Sequence, residues 1–385
     1  MSEDQRQQIV DLLQEAMELA LRKRDVDGAM EKLNQVLEID PDNDDALLNL
    51  GNCEMMRGNL ADALAYFDRA AAADTENYGV DWNRAIVLLR LNRVEESLSA
   101  IHHFLERAGG GLDQQADQIV PNARAFKQSL EVLKARSDTE SAYHSGEIVQ
   151  TDSAEAELQF MKAAESSDAA TAVSHLDRAL TVDPAHPQAR NMRGGLHMIQ
   201  GHLSEAVRDF TVSLLVQPEN PAPFVNRANC LLMASPRIDG VTTYYALALE
   251  DLNSAIALAP ENVEVRVNRA KVLRLFKDYE TAMADVAAAL EINPRHVEGL
   301  YTRGLLRNAT GDFEGAVADY AAALAIHPDR DDILPGLALA RMAINDRAGA
   351  AQAMERYVER GCKGEMSQMQ AHSFLRAMQA GLNRS

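Results

Sequence analysis

Aromatic residues make up only 5% of the 385 residues, and Trp82 is the sole tryptophan. A core short of large rings is closed by aliphatic and small side chains, which suits helices whose backbones approach closely. Cysteine is scarce too. Cys53, Cys230 and Cys362 are odd in number, far apart and free of any CxxC pair, so neither a disulfide framework nor a zinc site is indicated, and a reducing cytoplasm is the expected location. Positive charge is short: 38 Lys and Arg stand against 58 Asp and Glu, for a net charge of −20 and a pI near 4.9. Binding to a phosphate backbone needs clustered cations, and the chain has no basic run. Nucleic acid and anionic membrane surfaces are therefore not expected partners, whereas a neutral or basic protein or peptide is. No apolar run is long enough to cross a bilayer, so no membrane insertion is expected. The polar, acidic opening "MSEDQRQQIV" does not read as a signal peptide.

Motifs for chemistry are missing as well. There is no P-loop, dinucleotide fingerprint, HExxH or GxSxG. His102 and His103 are adjacent, so on a helix they point in different directions and cannot chelate as an i, i+4 pair. Acidic pairs such as Glu95–Glu96 and Asp331–Asp332 read as solvated helix ends. The expectation is a protein that is not an enzyme and uses no cofactor or metal.

What the chain has is a period. Pro260, Pro294 and Pro328 are spaced by 34 residues, as are Pro184 and Pro218, and Pro41 and Thr75. Twelve residues before each of these lies an alanine: Ala29, Ala63, Ala172, Ala206, Ala248, Ala282 and Ala316. Twelve residues earlier again, Gly51, Gly194, Ala270 and Gly304 supply a second small residue, with Ala85 and Ala338 at the same distance before Ser97 and Ala350. Seven residues after the first small position come Gly58, Gly201 and Gly311, or Asn92 and Lys277, at a place that suits left-handed backbone. Each unit thus reads as helix, tight turn, helix and short loop, with the small residues where the paired helices cross. Leu33, Phe67, Leu176, Phe210, Leu252, Val286 and Tyr320 share one core offset on the second helix. One unit cannot bury its apolar faces alone, but stacked units can.

This pattern resembles the tetratricopeptide repeat family and covers most of the chain. The resemblance implies an all-α, right-handed α-solenoid of helix-turn-helix repeats. Repeats are assigned near 10–43, 44–77, 78–110, 154–186, 187–220, 221–262, 263–296, 297–330 and 331–361. They group into an N-terminal array of about three (1–110), a helical and polar junction (111–153), an array of about six (154–361) and a C-terminal capping helix (362–385). Within the junction, "PNARAFKQSLEVLKAR" predicts a helix with Pro121 in its first turn, and "SDTESAYHSGEIVQTDS" predicts a loop or linker. An insertion around 235–242 reads as a longer turn. Met17 and Phe160 stand where a small residue is expected. The cap places Phe374, Leu375, Met378 and Leu382 on one face.

In that family the first helices line a concave surface that binds extended peptides or partner segments, and the residue two before the first small position faces it. Here that residue is Asn49, Asn83, Met192, Asn226, Asn268 or Thr302. An amide donates and accepts together, so such a row suits the backbone of an extended peptide. Asn52, Asn229 and Lys271 follow on the same face, with Trp82 and Tyr301 beside the row and Met55, Met56, Met233 and Arg274 a turn further on. The alternative is that the amides close hydrogen bonds between neighbouring first helices. Arg84, Arg193, Arg227, Arg269 and Arg303 sit beside this face, where a structural role meeting nearby acids is expected. The "NR" pair also looks like co-chaperones that clamp a terminal carboxylate, but Glu264, Asn268, Glu298 and Thr302 occupy the places where that clamp needs cations. Cys53 and Cys230 share one repeat position, which points to packing rather than reactivity. The expected function is a non-enzymatic scaffold or adaptor holding a partner segment in the groove. Two alternatives stay open: a self-assembling structural protein, that is, a homo-oligomer, and a regulatory receptor for a signalling peptide.

Overall fold

The computed structural model describes the chain apart from residues 75–77, 109–113, 152, 237–241, 362–367 and 383–385. It is 82% helical, with no strand among the described residues. Helix α1 (Glu3–Met17) runs into a π-helical turn (Glu18–Lys23) before α2 (Val26–Ile39). Then α3 (Asp44–Arg57) pairs with α4 (Leu60–Ala73), and α5 (Tyr78–Arg90) with α6 (Val94–Ala108). The long α7 (Gln114–His144) follows. After it come α8 (Ala154–Glu165) with α9 (Ala169–Val182), α10 (Pro187–Ile199) with α11 (Leu203–Val216), then α12 (Pro221–Ala234) and α13 (Thr243–Leu258). The remaining pairs are α14 (Val263–Leu275) with α15 (Tyr279–Ile292), α16 (Val297–Thr310) with α17 (Phe313–Ile326), and α18 (Leu334–Ala343) with α19 (Arg347–Glu359), closed by α20 (Gln368–Leu382). The architecture is a right-handed α-solenoid of helix-turn-helix pairs. The chain forms two compact units, Met1–Gln217 with Asn229–Leu247, and Pro218–Ala228 with Ala248–Ser385, so residues 111–153 lie inside the first.

Each expected turn residue adopts the left-handed backbone: Gly58, Asn92 and Gly201 in the first unit, Lys277 and Gly311 in the second. Asx capping starts many of the helices. Asp25, Asn43, Asp168, Asn262, Asp278 and Asp312 each accept a hydrogen bond from a first-turn backbone N–H.

The helix crossings obey a size rule. A Cβ built on Gly51 would lie 2.4 Å from the Phe67 ring, one on Gly194 2.8 Å from Phe210, and one on Gly304 2.5 Å from Tyr320. Where alanine stands first, the partner offset holds an aliphatic residue instead: Ala85 with Ile101, Ala270 with Val286, and Ala338 with Met354, all fully buried. Volume is conserved across the crossing, as dense interiors require.

One irregular repeat follows this rule and the other departs from it. The π turn adds a residue to the register of α1, so Ala16 is buried in the core with Ala29 and Leu33, while Met17 is 51% exposed. The expected position was therefore one residue late. In the fourth repeat both places are large, and Phe160 stays partly exposed. Phe160 packs from α8 against a core containing Leu176, Ala179 and Ala189.

The junction differs from its sequence reading. The helix begins at Gln114, so Pro121 falls inside α7 rather than in its first turn. Proline there costs one backbone hydrogen bond but keeps a helical φ. The first part of the polar stretch continues the helix to His144, and residues 145–151 form the turn and irregular chain expected of a loop. Lys134–Asp138 and Arg136–Glu140 ion pairs at i, i+4 and a Thr139 hydroxyl donated to the Ala135 carbonyl support the helix without apolar periodicity. Buried residues of α7 form opposite stripes, Phe126, Leu130 and Leu133 against Val132, Ala135 and Thr139, and the helix packs on both α6 and α11. In the second unit, Ala371 is buried and Phe374 and Leu375 of α20 pack on the core. The Met378 and Leu382 side chains, Thr75, Cys362 and most of the 235–242 insertion lie outside the described residues.

Candidate partner-binding site

In the first unit, Asn49 and Asn52 on α3, Trp82 and Asn83 on α5 and Asn229 on α12 are partly exposed, whereas the small residues Gly51 and Ala85 between or beside them are buried. The offset thus separates a core position from a surface one, as the spacing predicts. Asn83 Nδ2 donates to Asn52 Oδ1 at 3.1 Å, tying α5 to α3, and Asn49 Nδ2 donates to the Asp45 carbonyl of its own helix at 2.8 Å. The Asn83–Asn52 bond serves the stacking of first helices. Trp82 is half-buried, with ring centroids 5.8 Å from Phe104 and 5.7 Å, edge-on, from Phe126 of α7.

In the second unit, Asn226 on α12 and Asn268, Lys271 and Arg274 on α14 are partly exposed, as is Tyr301 on α16. Thr302 is not a surface residue. It is fully buried and donates its hydroxyl to the Glu298 carbonyl of its own helix at 2.7 Å, an option that a short hydroxyl has on a helix. Glu298 is the centre of this face. Its carboxylate meets Lys271 Nζ at 2.6 Å and Arg330 at 2.9 Å, and Arg330 reaches Asp332 at 2.8 Å and stands 5.6 Å from the Tyr301 ring centroid. Burial pushes the Glu298 carboxyl up, but the two cations outweigh it and hold it below the usual glutamate range. The cations expected to be missing from a carboxylate clamp are present nearby, yet a protein carboxylate already occupies them. Arg330 lies in a loop and had no periodic signal to mark it.

The arginines beside this face are structural, as expected. Arg193, Arg269 and Arg303 each reach an aspartate 16 residues on, Asp209, Asp285 and Asp319, through paired bonds of 2.6–2.9 Å. Arg227 does the same with Asp251 across the insertion, at 2.7 and 2.9 Å. Arg193 and Arg269 also reach back 16 residues, to Asp177 and Asn253, and Arg84 reaches back to Asp68. These bonds hold the Arg193, Arg269 and Arg303 guanidinium groups more firmly protonated. Burial pushes the Cys230 thiol up to about 12 and raises Cys53 too, so both are packing residues and poor nucleophiles. Among the described residues, no cluster of three or more metal-ligating side chains occurs and no helix is long and apolar enough to cross a membrane.

Family models described as tetratricopeptide repeat match residues 20–77, 157–215 and 245–297. Those three stretches are tetratricopeptide repeats. Among curated proteins, it is 27% identical over 188 residues to DnaJ homolog subfamily C member 3 of Bos taurus, covering 46% of this chain and 37% of that one. It is 26% identical over 235 residues to U-box domain-containing protein 70 of Oryza sativa subsp. japonica, covering 60% and 27%. The matched stretch thus spans well under half the length of these relatives. Among solved structures, yeast Tom70 is similar, with 15% identity, a TM-score of 0.40, and 97% and 96% of the two chains covered.

One feature of the tetratricopeptide repeats was only half visible in the sequence. Five residues after the small crossing residue, at the end of four of the first helices, large apolar side chains stay in solvent: Met56 and Met233 in the first unit at 57% and 59% exposure, with Ile199 at 81%, and Leu275 in the second at 48%. Met56 and Met233 belong to the expected face. Ile199 and Leu275 were missed, because an exposed position carries no core periodicity and the residue type varies between repeats.

Proposed function

We propose that this protein is a non-catalytic scaffold that holds a segment of another protein along the exposed faces of its first helices. The observation that carries this reading is the recurring exposed apolar residue at one offset. Met56, Ile199, Met233 and Leu275 stand in water at that offset, and exposed apolar rows rimmed by amides and charges suit partner contact. The apolar side chains act as anchors, and the neighbouring amides and charged groups fix orientation and register. The net charge of −20 favours a neutral or basic segment over an acidic one.

The test begins with affinity capture from the native organism and continues by calorimetry with the captured segment. Leu275→Asp with Phe276→Asp removes two half-exposed apolar groups of the second unit. At about 1 kcal/mol each, roughly half the value of full burial, binding falls by about 10–100-fold while melting stays near wild type. Unchanged affinity for every captured segment overturns the reading. Light scattering that shows a concentration-dependent dimer lost in the same variant replaces the partner with a second copy.

A further inference from the structure

The junction helix α7 does more than connect. The register of helix pairs stops after α6, and α7 lies against α6 on one side and α11 on the other, within the first unit. Where α5, α7, the start of α11 and the end of α12 meet, they leave an open cleft of about 870 Å³. That volume is in the range of sites that take a small ligand or a few residues of peptide. Trp82 and the exposed Met233 give the cleft apolar wall, and Glu131, Glu205 and Arg208 give it charge. Among the described residues, Glu205 and Arg208 make no hydrogen bond or ion pair, although they lie three apart on one helix. The carboxylate and the guanidinium are both uncommitted.

We infer that this cleft is a second binding site, which shares Met233 with the first-helix face of its unit, for a peptide segment that inserts an arginine or lysine side chain. A tryptophan ring attracts a cation over its face, and a carboxylate beside it supplies the counter-charge. Met233 packs on the aliphatic stem, and Arg208 donates to the carbonyls of the inserted segment. The surrounding field has the right sign. Residues 1–110 hold 22 acidic against 11 basic residues, so more than half of the chain's net −20 lies in the array that contributes Trp82. An anionic segment would meet two wall carboxylates in the same field.

The sole tryptophan reports this cleft directly. The probe is acetyl-Gly-Arg-Arg-Gly-amide, titrated into the full chain while Trp82 emission is followed, with the citrulline counterpart as the uncharged isostere. The expected result is a saturable change in emission for the arginine peptide, about tenfold weaker binding to Glu205→Gln, and no saturation with citrulline. Glu205 is exposed, so the variant should melt like wild type. Asn226→Ala with Asn268→Ala, which alters the first-helix face, should leave the titration unchanged. No saturable change up to millimolar peptide, equal binding of the citrulline peptide, or equal binding to Glu205→Gln each overturns the inference. Loss of the signal in the asparagine double variant also overturns it, because the two sites would then be one.

Discussion

Adding one methyl group at Gly51 should unsettle the α3–α4 crossing, although alanine is the better helix former. An ideal Cβ at Gly51 falls 2.4, 2.7 and 2.8 Å from three atoms of the Phe67 ring, where contact distances near 3.5–4 Å are needed. Phe67 is fully buried, so its ring has nowhere to retreat and the helices must separate. The propensity gain is about 1 kcal/mol. Overpacking costs about 1–3 kcal/mol, and a clash with three ring atoms belongs at the upper end. Gly51→Ala is therefore expected to destabilise by about 1–2 kcal/mol. Phe67→Leu alone leaves a cavity and also costs about 1–2 kcal/mol. Together they recreate the alanine–aliphatic pairing found at Ala85 with Ile101, and the double variant should lie about 1–2 kcal/mol above the sum of the single effects. Urea denaturation, with hydrogen exchange to localise the loss to α3 and α4, measures each value. A Gly51→Ala protein at least as stable as wild type, or strictly additive variants, would refute the size rule.

Other expectations rest on charge. Glu298 has a lowered folded pKa, so its contribution is present above the ordinary glutamate pKa and is lost as pH falls through the depressed value. Glu298→Gln should flatten the acid limb of stability in a pH series of thermal melts. Asp251→Ala removes the paired bonds of the buried Arg227 guanidinium to Asp251 and should cost about 3–5 kcal/mol by denaturation, whereas breaking the exposed Arg93–Glu96 pair should barely move the melt. In a Cys53→Ser, Cys362→Ser background, Cys230 should resist iodoacetamide at neutral pH until the protein unfolds, and prompt labelling of the folded protein would contradict its buried position.

The repeats were legible because each crossing needs a small residue and each turn needs a left-handed one. Gly51, Gly58, Ala63 and Pro41 therefore mark their places without reference to anything distant. The π turn left no mark, because Glu18–Lys23 has an ordinary helical composition and its effect is a one-residue shift that exchanges Met17 for Ala16. The second half of α7 was hidden for a different reason. Its helix rests on i, i+4 charge pairs and on packing against two elements, so no single apolar stripe announces it. At the candidate site the offset of the asparagines could be read, but not their partners. Whether Asn83 meets a ligand or Asn52 depends on the spacing of stacked helices, which one repeat cannot encode.

The arginine links set how the solenoid would come apart. Arg193 grips Asp177 of one helix pair and Asp209 of the next, so peeling one pair away strands a charge in the other, and the two should be lost together. Arg269 makes the equivalent reach to Asn253, which is neutral. That joint carries no stranded carboxylate when it opens. Under mechanical tension, the second unit should therefore part at the Asn253–Arg269 joint at a lower force than the first unit parts at Asp177–Arg193. An array of nearly identical parts would in this way have a defined order of failure, written in the choice between an aspartate and an asparagine.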